Sequence, residues 1–244
     1  MKALKANWTV ANNVTAFTTL RTGGVSLPPY DSFNLGDHVG DDESAVKTNR
    51  TLLVQQFELP QMPLFLKQTH STKVIRLPYR GKDFEADAVY TNQLNQVCAV
   101  MTADCLPVLF TNRRGNEVAA AHAGWKGLCD GVLEETVQRF RCDVSDIIAW
   151  LGPAIGPNAF QVSDDVIDQF VAQDYASRAA FKQDPEHSSK YLGNLYLIAR
   201  QRLNRLGVTD IYGGDHCTYF ESDRFFSYRR NRITGRMASL IWFR

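Results

Sequence analysis

Two apolar runs, Leu106–Phe110 and Val118–Ala121, flank the polar turn Arg113-Arg114-Gly115-Asn116, and no other stretch of the 244-residue chain constrains its folding so tightly. Apolar runs of this length around a glycine-bearing turn predict a β-hairpin. Closing the hairpin places Cys105, at the start of one strand, nearly opposite His122, at the end of the other. Side chains facing each other across an antiparallel pair have Cβ atoms roughly 4.5–5.5 Å apart. A cysteine and a histidine at that separation can hold one metal ion or share one proton, and a further ligand would make the pair a metal centre.

Only five histidines occur: His38, His70, His122, His187 and His216. His70 ends the run Leu64-Phe-Leu-Lys-Gln-Thr-His70 and so falls at a strand terminus, where its own spacing carries no metal-ligand pattern. Five cysteines (Cys98, Cys105, Cys129, Cys142, Cys217) form an odd set without a CxxC pair, which suits reduced thiols in the cytoplasm better than a disulfide framework. The formal charge of +1 argues against nucleic-acid or membrane-surface binding driven by charge. No apolar run approaches the ~20 residues of a membrane helix, and the basic start of the chain lacks the apolar core of a secretory signal. No Pro/Gly/Ser-rich linker divides the chain, so residues 1–244 are expected to form a single domain, monomeric or weakly dimeric.

The pattern along the chain predicts strands at Val14–Leu20, Leu64–Gln68, Lys73–Arg76, Ala88–Thr91 and Val97–Met101, then the hairpin. Further strands are expected at Ile147–Leu151, Asp210–Gly213, Phe225–Tyr228 and Met237–Trp242. Helical spacing appears over Asp41–Phe57, Leu128–Phe140 and Leu195–Leu206, the last stopped by Gly207 as a left-handed cap. Ser163 is placed to cap a short helix carrying Val166 and Phe170. The polar segment Asp174–Lys190 reads as a mobile insertion. Strands outnumber helices and mostly come in hairpins, so the fold class is α+β with mixed sheets.

Several polar residues stand beside this framework. His122-Ala-Gly-Trp-Lys-Gly127 runs from a strand end through glycines toward a helix, whose N-terminus, with Lys126, would suit an anion. The same glycines would equally serve a tight turn. Arg21, before Gly23-Gly24, and Arg229, with Arg230, are candidates for phosphate or carboxylate binding by a planar fork. Asp104 is a candidate acid–base or supporting carboxylate, although strand alternation would turn it away from Cys105. His38 lies in the loop Gly36-Asp-His-Val-Gly40, either lining the site or simply exposed.

Seven blocks of the sequence occur together in one known family: Arg21-Thr-Gly-Gly-Val-Ser26, Asn34-Leu-Gly36, Gln68-Thr-His70, Thr102-Ala-Asp-Cys-Leu-Pro107, His122-Ala-Gly-Trp-Lys-Gly127, Leu151-Gly-Pro-Ala-Ile-Gly156 and Ser227-Tyr-Arg-Arg230. In them the chain resembles the YfiH family, also called the laccase-domain or polyphenol-oxidase-like family, over nearly its whole length. Thr69 and Ser71 stand where relatives often have Val and Gly, and Asn231 where Asp is usual. The resemblance implies a layered α/β/β/α fold and zinc bound by His70, Cys105 and His122. It also implies phosphorolysis of adenosine, inosine and methylthioadenosine, with accompanying adenosine deamination. Purine nucleosides and phosphate would then be the partners, and Arg21, Lys126, Arg229 and His38 the residues to bind them. Cys105, His122, Asp104 and Arg21 are the catalytic candidates.

Two nitrogens and a thiolate leave a fourth position open on a tetrahedral zinc, the pattern of catalytic sites. The same donors suit copper, but five histidines cannot also furnish the trinuclear cluster of a multicopper laccase, so a copper-dependent polyphenol oxidase is the weaker reading. A different class remains open: an amide hydrolase using Cys105 and His122, or the zinc water, on peptidoglycan precursors, with which bacterial members of the family are associated.

Overall fold

A computed structural model describes residues 2–244. Its centre is a six-stranded mixed sheet in the order Asp210–Gly213, Ile147–Leu151, Leu106–Asn112, Val118–Ala123, Ala88–Thr91, Val74–Arg76. The two edge pairs are parallel and the three inner pairs antiparallel. A second sheet, wholly antiparallel, runs Ala3–Lys5, Val14–Thr19, Met237–Phe243, Cys98–Thr102.

Alternation along the strands sorts their side chains into three apolar layers. Val89, Leu109, Ala120 and Trp150 leave one face of the six-stranded sheet and meet Ala16, Cys98, Val100 and Ile241 of the four-stranded sheet. Tyr90, Val108, Phe110 and Ala121 leave the other face and pack on helical Leu128, Leu133, Phe170 and Ile198. The outer face of the four-stranded sheet, with Phe17, Met101 and Trp242, is covered by Leu53 of the helix Glu43–Gln56. The result is the layering α/β/β/α, and it explains why the central strands read as continuous apolar runs: both their faces are buried.

The helices Glu43–Gln56 and Leu195–Leu206 form as the sequence predicts, the first capped by Asp42, which accepts from the Ala45 N–H at 2.8 Å, and the second ended by Gly207 at φ 98°. The helix expected over Leu128–Phe140 starts earlier, at Trp125, and breaks into Trp125–Asp130 and Val132–Val137 where Gly131 turns left-handed at φ 104°. Ser163 is the residue preceding the helix Asp164–Gln173, but its hydroxyl engages Asp165 and makes no capping bond. Two expected strands are absent. Leu64–Gln68 makes only a single bridge, Lys67 to Glu85. Phe225–Tyr228 is a turn-rich loop whose phenylalanines are nonetheless fully buried. The segment Asp174–Lys190 is folded, contributing a 3-10 helix and the strand Phe181–Gln183 to a small three-stranded sheet with Gln161–Val162 and Tyr191–Gly193.

The hairpin turn falls at Arg113–Asn116, with the Asn112 N–H donating to the Glu117 carbonyl. The register sets Pro107, not Cys105, directly opposite His122. Cys105 is diagonal, two residues further out. A displacement of two keeps both side chains on one face, so the meeting survives the change of register.

Candidate active site

Each member of the Cys–His–His group arrives on a different support. His122 is the penultimate residue of the strand Val118–Ala123 and is buried. Cys105 immediately precedes Leu106–Asn112 and follows Asp104, whose backbone is left-handed at φ 98°. His70 sits in a loop, also left-handed, at φ 62°. Such a conformation costs an L-residue roughly 1–2 kcal/mol, so the surroundings must hold it.

Asp87 does this holding. Its carboxylate is fully buried and accepts from the backbone N–H groups of Thr69 at 3.1 Å, His70 at 3.0 Å and Ser71 at 2.6 Å, and from the Ser71 hydroxyl at 2.7 Å. It also accepts from His122 Nδ1 at 2.8 Å. One acid thereby shapes the His70 loop and fixes His122 with its proton on Nδ1, leaving Nε2 free for the site. Burial pushes the Asp87 carboxyl upward, but the hydrogen bonds from His122 and Ser71 outweigh it and hold the group down at about 2.

The donor atoms of His70, Cys105 and His122 all lie within 4.8 Å of one another, with Cys105 Sγ 3.6 Å from His70 Nε2. That is close to the spacing set by bonds of roughly 2.0–2.3 Å to one central ion. Gly124 makes the space: a Cβ there would overlap the His70 ring and stand 3.1 Å from Cys105 Sγ. Burial opposes ionisation of the Cys105 thiol, yet the His122 and His70 imidazoles bring it down to about 6. His122 is raised in turn by the thiolate and by Asp87, against burial. The carboxylate behind His122 orients it as the outer partner of a ligating histidine does. The group therefore fits a thiophilic divalent ion. Among the described residues it is the one set of three or more His, Cys, Asp or Glu side chains so arranged, whereas His187 and His216 pair elsewhere, with Asp184 and Glu221.

The trio opens into a cleft of about 500 Å3. Trp125, Ile155, Phe160 and Leu195 supply apolar wall, and His38, Gln68, Asp104, Tyr228, Arg229, Arg232 and Arg236 the polar lining. Gln68 is clamped to the Met101 backbone by two bonds of 2.7 Å, tying the His70 loop to the strand Cys98–Thr102. Asp104 accepts from the Thr218 hydroxyl and from the Arg229 N–H, both at 2.6 Å, so its carboxylate fastens two distant loops beside Cys105.

The other expected site residues divide. His38 lines the cleft with its ring largely exposed; burial and the neighbouring Arg236 charge lower its pKa. Arg229 lines it too, but Nη1 is held by the carbonyls of Ala159 and Gln161. Arg21 is not in the lining: its guanidinium donates to the Asp31 carbonyl and carboxylate and to the Ser222 carbonyl, over the Phe226 ring. Lys126 is exposed outside the cleft, and the helix it belongs to has only six residues. Sequence reading missed Asp87 and Arg236. An acid just before the apolar strand Ala88–Thr91 was the available signal for Asp87, but its donors come from segments up to 35 residues away. No helix is long and apolar enough to cross a membrane among the described residues.

Comparison with known proteins agrees across the chain. Residues 15–244 match the family model described as multi-copper polyphenol oxidoreductase laccase. A purine nucleoside phosphorylase of Haemophilus influenzae is 68% identical over 243 residues, covering 100% of both chains. The purine nucleoside phosphorylase YfiH of Escherichia coli is 54% identical, covering 99% of this chain and 98% of its own. The crystal structure of a Neisseria meningitidis protein superposes with a TM-score of 0.94 at 48% identity, covering 100% of this chain and 99% of the other. The Bacillus licheniformis hypothetical protein YfiH follows at 0.89 and 34%, covering 96% and 94%. Sequence, layering and the match over residues 15–244 agree, and the chain belongs to the laccase-domain family that includes YfiH.

Proposed function

We propose that the protein is a zinc-dependent purine nucleoside phosphorylase acting on adenosine, inosine and methylthioadenosine, with deamination of adenosine as a second activity. The observation that carries this reading is the convergence of three ligand side chains on a half-apolar cleft of about 500 Å3. That volume suits a small ligand such as a nucleoside. The Haemophilus and Escherichia relatives, named purine nucleoside phosphorylases, support its phosphorylase part.

His70, Cys105 and His122 would hold the metal, Cys105 as thiolate. When bound, zinc would supply Lewis-acid polarisation of a substrate oxygen or nitrogen. Asp87 acts behind it, keeping His122 in one tautomer. Trp125, Ile155, Phe160 and Leu195 offer surface for the purine and exclude water from it. In phosphorolysis a hydrogen phosphate oxygen bonds to the ribose anomeric carbon as the bond from that carbon to the base nitrogen breaks. The electron pair leaves with the base, which takes up the phosphate proton. Holding both reactants in attack geometry can contribute roughly 7–11 kcal/mol. Deamination replaces the adenosine amino group by water oxygen and releases ammonia.

The lowered Cys105 thiol beside His122 favours a second reading, an amide hydrolase with Cys105 as nucleophile acting on peptidoglycan precursors. One experiment separates the two. Zinc-loaded protein with adenosine and phosphate should yield adenine and ribose 1-phosphate, with inosine measured separately. Protein that leaves adenosine, and inosine supplied in its place, untouched, yet releases an amino acid from a muramyl precursor and forms an adduct on Cys105, would establish the hydrolase instead.

A further inference from the structure

Phosphorolysis needs an oxyanion site, and the arginine first expected to provide one, Arg21, is engaged outside the cleft. The partly buried arginines elsewhere are occupied. Arg21, Arg50, Arg202 and Arg224 each meet a carboxylate, and Arg200 and Arg230 bind carbonyls through both terminal nitrogens.

Arg236 differs. Its guanidinium lines the cleft and engages protein through Nη1 alone, to the carbonyls of Thr234 and Gly235, each at 3.0 Å. Among the described residues Nε and Nη2 have no hydrogen-bond partner and no carboxylate forms an ion pair with it. The stem is firmly seated. The Arg236 N–H donates to Asn34 Oδ1 at 2.9 Å, and a Cβ on Gly36 would stand 2.8 Å from its Cγ. The guanidinium carbon lies 5.9 Å from the Tyr228 ring centre, and that of Arg232 lies 5.4 Å from the same ring. Arg232, exposed in the cleft lining, also forms no ion pair or hydrogen bond among the described residues. Both guanidinium groups thus lie over the Tyr228 ring, and neither is paired with an acid among the described residues. Arg236 lines the same cleft as His70, Cys105 and His122. An immobilised, partly desolvated cation with a free edge is built for an oxyanion, because the planar fork meets two oxygens at once.

We propose that Arg236, supported by Arg232, forms the oxyanion site of the cleft and binds inorganic phosphate. The site rests on the phosphorylase reading for its use as the phosphate donor to ribose, but phosphate binding can be measured without that reaction. Phosphate titration of the zinc-loaded protein, followed by 31P line broadening and by thermal shift, should show saturable binding. Arg236→Gln should weaken that binding about tenfold or more, with zinc content and fold intact. Arg236→Lys, which keeps the stem and charge but loses the fork, should fall between, and Arg232→Gln should show a smaller loss. In turnover, the phosphate KM should rise with little change in nucleoside KM. Equal phosphate binding and phosphate KM in wild type, Gln and Lys variants would overturn the site while leaving phosphorolysis standing. Phosphate binding lost in Arg236→Gln, in a wild type that cleaves no nucleoside, would uphold the site and reject the phosphorylase.

Discussion

The strand Val118–Ala123 has a buried acid at each end, and the two are used in opposite ways. At one end Asp87 accepts from His122, at the other Glu117 accepts from the Tyr90 hydroxyl, Asn112 and the Arg141 N–H. Glu117 lines a cleft of about 650 Å3, and Asp87 stands behind His122, which lines the one of about 500 Å3. The partners of Glu117 have no reactive group left over; burial and the adjacent carboxylate only drive the Tyr90 hydroxyl further from ionising. The partners of Asp87 do: His122 keeps Nε2, and the His70 loop delivers a second ring. A buried carboxylate becomes part of a site when the groups it orders retain lone pairs pointing at a common space. Cleft volume does not distinguish the two ends.

Replacing each acid is the strongest way to break this comparison. Asp87→Asn should lower metal affinity ~10–100-fold and destabilise the fold by about 3–5 kcal/mol, because several donors lose their acceptor. Glu117→Gln should cost about 1–3 kcal/mol and leave metal content unchanged. Metal analysis and urea unfolding of both variants decide it; equal metal loss in the two would remove the distinction. The acid limb carries the same information. With its folded carboxyl held at about 2 against the ordinary 3.8, Asp87 contributes stability that is fully present above pH ~4 and lost as pH falls toward 2. That contribution is about 2–3 kcal/mol and should be missing from Asp87→Asn.

A smaller effect concerns the thiols. In metal-free protein Cys105 should alkylate with a midpoint near pH 6, its thiolate present above that pH and lost below it. Cys98, wholly buried and pushed up by desolvation, should not react in the folded state. Mass spectrometry of iodoacetamide-treated protein reads both sites, and zinc should protect Cys105. An ordinary thiol midpoint for Cys105 would mean the imidazoles do not act on it. The smallest change is Gly124→Ala. The backbone there is already extended at φ −61° and ψ 156°, so the fold should tolerate the methyl. Crowding of the His70 ring should still weaken metal binding several-fold, on the order of 1 kcal/mol. Unchanged metal affinity would show that His70 moves aside freely.

Much of the fold was legible because its signals are local. The helix Leu195–Leu206 carries its own stop in Gly207, and the hairpin carries its own turn. Gly131 broke a helix that periodicity ran straight through, since apolar spacing does not register one left-handed residue. Phe225 and Phe226 look like strand residues because they are buried, but they are buried from a loop. The approach of Cys105 to His122 was readable from hairpin geometry, and the addition of His70 only through the family blocks. Asp87 and Arg236 were not readable, because their meaning lies in what distant segments bring to them: residues 69–71 and 122 to the first, Asn34 and Gly36 to the second.

The position of the strand Met237–Phe243 has a consequence for biosynthesis. It is an inner strand, paired with Val14–Thr19 on one side and Cys98–Thr102 on the other. Those two are made first and are not paired with each other in the fold, so each lacks its native neighbour on that edge while the ribosome works through the next ~140 residues. At the usual rate of roughly 5–20 residues per second that exposure lasts some ~7–30 s. A nascent chain at that stage already contains His70, Cys105 and His122, yet lacks the strand that anchors Arg236 beside them. A metal ion arriving early would meet His70, Cys105 and His122 before the four-stranded sheet closes, and chaperones that shield unpaired strand edges have a defined interval in which to act.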